Sequence, residues 1–257
     1  MSRNEEIVKS YEQWLRSPTG AYVDRRERGL IMSLLSPKPG EKLLDSGCKT
    51  GHHLAYFKRK GCNVTGVEKS RFILDAAREK MGSRADLHRG DLEDLPFSDN
   101  EFDIVTLITS LETVHNPAKA LGEAVRVSRG RVFVGVLNHL SLCAHSLLKE
   151  GALCNDDKPI QSFGPYNLIR MVKSVLGSVP VQWGSVVFFP SFCYPLAEGA
   201  EEKIPTAKNP FGAFLGLSFP VTYSHRTIQD PLKANLNERL RTESRVPGTA
   251  SREMNND

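Results

Sequence analysis

Apolar positions along the chain follow two alternating periods, and the switches between them delimit the elements. Ile7, Tyr11, Trp14 and Leu15 fall at helical spacing within residues 4–15, and Pro18-Thr19-Gly20 interrupts that pattern. A second helical stretch spans 23–35 and stops before the breaker Pro37-Lys38-Pro39-Gly40. From Lys42 the period alternates. Short apolar runs at 42–45, 63–68, 85–89, 102–108 and 131–137 read as strands, and 51–60, 72–81 and 117–127 as helices, the last opening at Asn116-Pro117. Strand and helix in turn predict a parallel sheet. Beyond it, 166–176 regains helical spacing, and 181–189 and 211–219 read as two further strands.

Length and composition narrow the class. At roughly 150 residues per domain, 257 residues correspond to about 1.7 domains. With 40% hydrophobic and 25% charged residues, the chain is globular rather than fibrous or mainly disordered. The 34 Lys plus Arg are scattered along the sequence and exceed the 30 Asp plus Glu by only four, so no nucleic-acid partner is expected. The longest apolar stretches fall far short of the ~20 residues of a membrane span, and the start lacks the apolar core of a secretory signal. Five cysteines, Cys48, Cys62, Cys143, Cys154 and Cys193, form no C-x-x-C pair and read as reduced thiols. A cytoplasmic address and no bound metal are expected. Residues 221–257, polar and nearly balanced in charge, are expected to be largely disordered.

In an open α/β sheet the ligand lies outside the carboxyl ends of the strands. The first such end is Asp45-Ser46-Gly47-Cys48-Lys49-Thr50-Gly51, a turn expected to leave backbone N–H groups and a helix N-terminus facing the ligand. Its D-x-G-x-K-x-G spacing differs from the G-x-G-x-x-G of a dinucleotide fold. Glu68 ends the second strand 23 residues after Asp45, where a carboxylate can accept from both hydroxyls of a ribose. Asp91-Leu92 follows after another 23, suited to bond an exocyclic amine and pack on a base. Residues 107–111 form the fourth end.

The series LLDSGCKTG, VTGVEKS, GDLEDLPFSDNEFDIVT and RVFVGVLN resembles class I S-adenosylmethionine-dependent methyltransferases, in the branch that includes quinone-biosynthesis enzymes. The resemblance implies a Rossmann-like, doubly wound seven-stranded sheet with the last strand antiparallel. It divides the chain into an N-terminal helical cap (1–40), a methyltransferase domain (41–220) and the tail (221–257). It implies S-adenosylmethionine as cofactor, with the methionine part over Gly47, Cys48, Lys49 and Gly51 beside Asp45. Glu68, with Lys69 next to it, would hold the ribose. Asp91 and Leu92 would frame the adenine, Thr109 would lie beside the methionine part, and Tyr11 or Trp14 would close over it.

One position departs from the pattern, because the family expects glycine where Lys49 stands. A left-handed backbone there costs a non-glycine residue about 1–2 kcal/mol, and an ammonium can offset part of that by pairing with the cofactor's carboxylate.

Methyl transfer from a sulfonium needs alignment and dryness, and a base only where the nucleophile carries a proton. Glu112 and His115 are candidates for that base, and Glu112 has a second reading as a cap or solvated start of the next helix. Asn138 and His139 are candidates for touching the acceptor, against plain turn chemistry. Phe188, Phe189, Phe192, Tyr194, Phe211 and Phe214 read as core. The expected activity is methyl transfer to a small molecule, the acceptor pocket being formed by the N-terminal helices and residues 138–166. The alternative is a non-catalytic nucleoside-binding or regulatory protein on the same scaffold.

Overall fold

The computed structural model describes residues 3–141, 144 and 161–221. The polar tail from 222 onward lies outside the described residues. Helices α1 (Arg3–Arg16) and α2 (Pro18–Leu35) precede β1 (Lys42–Ser46), α3 (His52–Arg59), β2 (Asn63–Glu68), α4 (Arg71–Met81) and β3 (Asp86–Arg89). Then come β4 (Phe102–Ile108), α5 (Pro117–Val127), β5 (Ser128–Leu137), α6 (Pro165–Leu176), β6 (Gln182–Val186), α7 (Tyr194–Glu201) and β7 (Phe214–Pro220). The strands form one seven-stranded sheet in the order β3-β2-β1-β4-β5-β7-β6. The first five are parallel, and β7 runs antiparallel to both β5 and β6. The last strand is antiparallel, as the resemblance implied.

Both faces of the sheet are covered, which is why its central strands are apolar throughout. Leu43, Ile104, Phe133 and Phe214 face one core with Leu30, Ile31 and Leu35 of α2 and Leu54 and Phe57 of α3. Their neighbours Leu44, Val105, Val134 and Leu215 face the other, with Leu121 and Ala124 of α5 and Leu168 and Val172 of α6. The period of two along each strand thus sorts side chains between two layers of helices.

Several boundaries differ from the sequence reading, two of them for a clear local reason. Pro18-Thr19-Gly20 is the first turn of α2 rather than a break: Ser17 accepts the Gly20 N–H on its hydroxyl at 3.0 Å, and proline at the first helical position lacks only an N–H that would go unpaired. Strand β6 ends at Val186, short of the expected 189, because Val187 turns left-handed (φ 66°) and gives its N–H to buried Glu201 at 2.6 Å. Phe188 and Phe189 therefore leave the sheet half-buried, and Phe192 and Phe211 are exposed, so of the six aromatics read as core only Tyr194 and Phe214 are buried.

Helix α1 is tied to the first strand-to-helix turn through Glu12, which accepts from the Thr50 hydroxyl at 2.6 Å and pairs with Lys80 of α4. This places the N-terminal helix at the carboxyl end of the sheet. Behind the same turn, Gly66 of β2 leaves room for its neighbours; a Cβ there would lie 2.6 Å from Leu54 Cδ1 and 2.8 Å from Cys48 Sγ. Gly66→Ala is therefore expected to destabilise the protein by about 1–3 kcal/mol, read as a lower urea midpoint at unchanged m-value.

Candidate functional site

The parallel register aligns the expected ligand-facing ends. Ser46 of β1 lies beside Val67, Glu68 beside Arg89, and Asp91 two residues past that pair. Between β1 and α3 the backbone is left-handed at Gly47 (φ 84°), Lys49 (φ 51°) and Gly51 (φ 77°). Gly47 is required by close approach as well, since a Cβ there would sit 2.5 Å from Ser110 Cβ. Lys49 adopts a conformation suited to glycine, at a cost of about 1–2 kcal/mol.

The turn's N–H groups are largely consumed by protein, contrary to the sequence expectation. Gly47 and Cys48 both donate to the Val67 carbonyl at 2.9 Å, Lys49 donates to Glu68 Oε2 at 3.2 Å, and Gly51 donates to the Cys48 carbonyl. These bonds weld β1 to β2 at the rim, so the turn contributes shape more than donors. Glu68 also accepts the Ser70 N–H at 2.9 Å, which fixes the carboxylate at the start of α4.

Asp45 is buried beneath the rim rather than lining it openly. Its carboxylate accepts from the Thr106 hydroxyl at 2.7 Å, and burial pushes its pKa up to about 6. Cys48 is buried, and loss of water raises its thiol well above the usual range, which leaves it inert. Lys69 reaches Asp91 at 2.8 Å and lowers the pKa of that carboxyl. Leu92 is buried, its Cδ2 3.4 Å from where a Gly47 Cβ would stand. Thr109, itself left-handed at φ 46°, accepts a hydrogen bond from Lys49 Nζ on its Oγ1, so the lysine side chain spans the gap between the ends of β1 and β4.

The other candidates divide. Glu112 is buried, 4% exposed, and does not cap α5; Asn116 does, accepting from the Lys119 N–H at 3.1 Å. Glu112 Oε1 accepts the Leu137 N–H at 2.8 Å, its Oε2 has no partner among the described residues, and burial lifts its pKa to about 7. His115 is exposed, and its loop is held by Glu93, so it does not join the site. Asn138 is spent on structure, donating to the Pro210 and Gly212 carbonyls at 2.6 and 2.8 Å and accepting from Leu140 N–H. His139 packs against Gly164. Most of the expected acceptor segment 138–166 lies outside the described residues.

Tyr11 and Trp14 of α1 are the aromatics that the resemblance offered as a cover, and Glu27 of α2 is a residue that no motif marked. Tyr11 is buried and stacked on Trp14, whose indole N–H is buried without a partner among the described residues. Glu27 of α2 keeps partial exposure, yet lost hydration dominates its titration and lifts its pKa to about 8. Lys49 acts electrostatically on Glu27, Asp45 and Glu112.

The matched family model, described as a methyltransferase domain, covers residues 44–134. The central segment belongs to that family. That segment is a methyltransferase domain, similar to those of quinone-biosynthesis enzymes. Demethylmenaquinone methyltransferase of Renibacterium salmoninarum is 32% identical over 117 residues, 45% of this chain and 49% of the relative. Malonyl-[acyl-carrier protein] O-methyltransferase of Serratia marcescens is 30% identical over 170 residues, 65% of each chain. Among solved structures, a methyltransferase of Thermotoga maritima described as a possible histamine N-methyltransferase superposes with TM-score 0.68 at 22% identity, over 85% of this chain and 97% of that one. The chain spans between about half and two thirds of the length of these two curated relatives.

The methyltransferase domain suits its cofactor on structural grounds. The hydroxyls of Ser46 and Ser110 are buried at the strand ends without partners among the described residues, beside the bare backbone of Gly47. Unpaired buried polar groups are costly, so these hydroxyls are candidates to meet a polar ligand. Among the described residues no cluster of His, Cys, Asp or Glu could hold a metal, and no helix is long and apolar enough to cross a membrane.

Because the folded-state pKa of Glu112 lies above its ordinary value of 4.5, its contribution to stability is present at low pH and lost as pH rises through about 7. Glu112→Gln keeps an oxygen for Leu137 and removes the titration. Relative to the unsubstituted protein it should be near neutral at pH 4.5 and more stable by about 3 kcal/mol at pH 8, measured by urea unfolding at both values.

Proposed function

We propose that the chain transfers the methyl group of S-adenosylmethionine to a small-molecule acceptor, and that the strand-end residues hold the cofactor. The observation that carries this reading is the joining of the Gly47–Gly51 turn to Glu68 by the Lys49 N–H, at the rim where Ser46 and Ser110 keep unpaired hydroxyls. When bound, the cofactor supplies an electrophilic methyl carbon on a sulfonium. The protein's part is to bind, orient and keep the reacting centre dry.

In this reading Glu68 accepts from the ribose hydroxyls on lone pairs that Lys49 and Ser70 leave free. Asp91, held by Lys69, meets the adenine amine, and Leu92 packs on the base. Lys49 and Thr109 address the amino-acid part, the ammonium pairing with the carboxylate. Tyr11 and Trp14 cover the site from α1. Cys48, Cys62 and Cys193 are free thiols, in keeping with a reducing, cytoplasmic setting.

Calorimetric titration tests the reading. S-adenosylhomocysteine is expected to bind, and Glu68→Ala to weaken it by about 1–3 kcal/mol, some ten- to hundredfold, through the lost carboxylate bonds. Absence of binding to the unsubstituted chain overturns the proposal; binding without turnover on any acceptor favours a nucleoside-binding protein instead. Lys49→Met separates the two parts of the cofactor: it should weaken S-adenosylhomocysteine severalfold while leaving 5′-methylthioadenosine, which lacks the amino-acid carboxylate, unchanged.

A further inference from the structure

A cavity of about 520 Å³ opens at the amino ends of β3 and β4, away from the carboxyl rim that carries the Gly47–Gly51 turn. Its volume lies within the range of sites for small molecules. Thr65 of β2 and Asp86 of β3, partners in the parallel register, line it together with His88, which shares a face of the edge strand with Asp86. The connection between β3 and β4 closes another side through residues 95–98. Three rings run edge to face along the lining, His88 on Phe97 with centroids 5.2 Å apart and Phe97 on Phe102 at 5.0 Å. Phe102 is rooted in the core with Leu121 and Ala124 of α5, whereas Phe97 is half-buried and Pro96 beside it is exposed. The wall is therefore anchored behind and open to a ligand in front.

The lining carries the carboxylates of Asp86 and Glu101 and neither Lys nor Arg. Glu101 accepts the Ser98 N–H at 2.9 Å and pairs with no cation among the described residues. Asp86 Oδ2 lies 2.9 Å from His88 Nε2, but the two are not aligned for a hydrogen bond, and that ring nitrogen is buried without a hydrogen-bond partner among the described residues. Arg126, behind the same connection, is engaged by Asp99, by Glu123 and by the Leu95 and Phe97 carbonyls. What the cavity lacks is positive charge and N–H donors. A flat amidinium or guanidinium supplies both, meeting a carboxylate with two parallel bonds while an attached apolar body lies on the rings. A further anion would be repelled.

We propose that this cavity is a second binding site, separate from the cofactor rim, and that it takes a small organic cation, an amidinium or guanidinium carried on an apolar body. Asp86 and Glu101 supply the counter-charge, His88 Nε2 accepts an N–H, and Pro96 and Phe97 pack on the body. The Thr65 and Ser98 hydroxyls serve polar substituents of the ligand. The connection that carries Asp91 and Leu92 at its start forms the cavity wall at 95–98, and Pro96 lies against Gly90, where a Cβ would stand 3.1 Å from its Cδ. The cavity thus adjoins, along one stretch of backbone, the residues placed at the adenine, without sharing a side chain with them.

The test is calorimetry on the full chain, with and without saturating S-adenosylhomocysteine, using benzamidinium as probe and benzamide as its neutral counterpart. Benzamidinium is expected to bind, and benzamide to bind about tenfold more weakly. Replacing both carboxylates, Asp86→Asn with Glu101→Gln, should weaken benzamidinium by about tenfold and leave the urea midpoint unchanged. Phe97→Leu keeps an apolar side chain and removes the ring; it should weaken the probe severalfold, and it carries the test if the double variant does not fold. Saturating S-adenosylhomocysteine should leave benzamidinium bound, with amide signals of residues 86–88 and 95–102 shifting on its addition. No saturable binding of benzamidinium, equal binding of benzamide, undiminished binding by the folded variants, or displacement by S-adenosylhomocysteine overturns the proposal. Failure to bind S-adenosylhomocysteine counts against the methyltransferase reading alone, and the titrations without it still report on the cavity.

Discussion

Parallel pairing of β1 with β2 on one side and β4 on the other is the constraint from which the site follows. The chain winds outward through β2 and β3, then returns to start again at β4 on the opposite side of β1. The connections leaving β1 and β4 therefore diverge, and a crevice opens between their carboxyl ends. Gly47–Gly51 comes from one lip and Thr109–Glu112 from the other. The lips nearly touch at Gly47 and Ser110, where only a residue without a Cβ allows the approach.

The rim is rigid because it is bonded within itself. Two N–H groups converge on the Val67 carbonyl, and a third reaches Glu68, so the turn and the carboxylate move together. Strain is stored at the same place. Lys49 and Thr109 both lie in the left-handed region, and Thr109 is β-branched, for which that conformation is least tolerated. The Gly135 carbonyl holds the Thr109 N–H at 2.8 Å, and the Lys49 ammonium holds its hydroxyl. Each strained residue is thus fixed by bonds to a neighbouring strand or to the other.

Charge follows from depth. Open to water, Asp45, Glu27 and Glu112 would all be ionised at neutral pH. In the folded protein they lose hydration faster than one lysine restores it, and each pKa rises. A site of this kind favours ligands that bring positive charge and disfavours those that bring more negative charge.

Short-range pattern alone determined the order of elements, the parallel sheet, and the placing of Asp45, Glu68 and Asp91 at successive strand ends, because a period of two or 3.6 and a fixed 23-residue step are properties of neighbours in the chain. It also marked Asn116-Pro117 as a helix start, since a cap acts within four residues. It misjudged Pro18-Thr19-Gly20, where the preceding serine turned a breaker into a first turn, and it placed Phe192 and Phe211 in a core that the left-handed Val187 and the following loop keep them from. Tertiary structure alone decided that the turn's N–H groups serve β2, that Asn138 is consumed by the Pro210–Gly212 segment, and that Glu27 comes under the electrostatic influence of Lys49 and Glu112. Glu27 stands among charged neighbours on a helix, indistinguishable in sequence from a solvated face. Its desolvation depends on what α1 and the sheet place over it, and burial is a property of distant parts of the chain brought together.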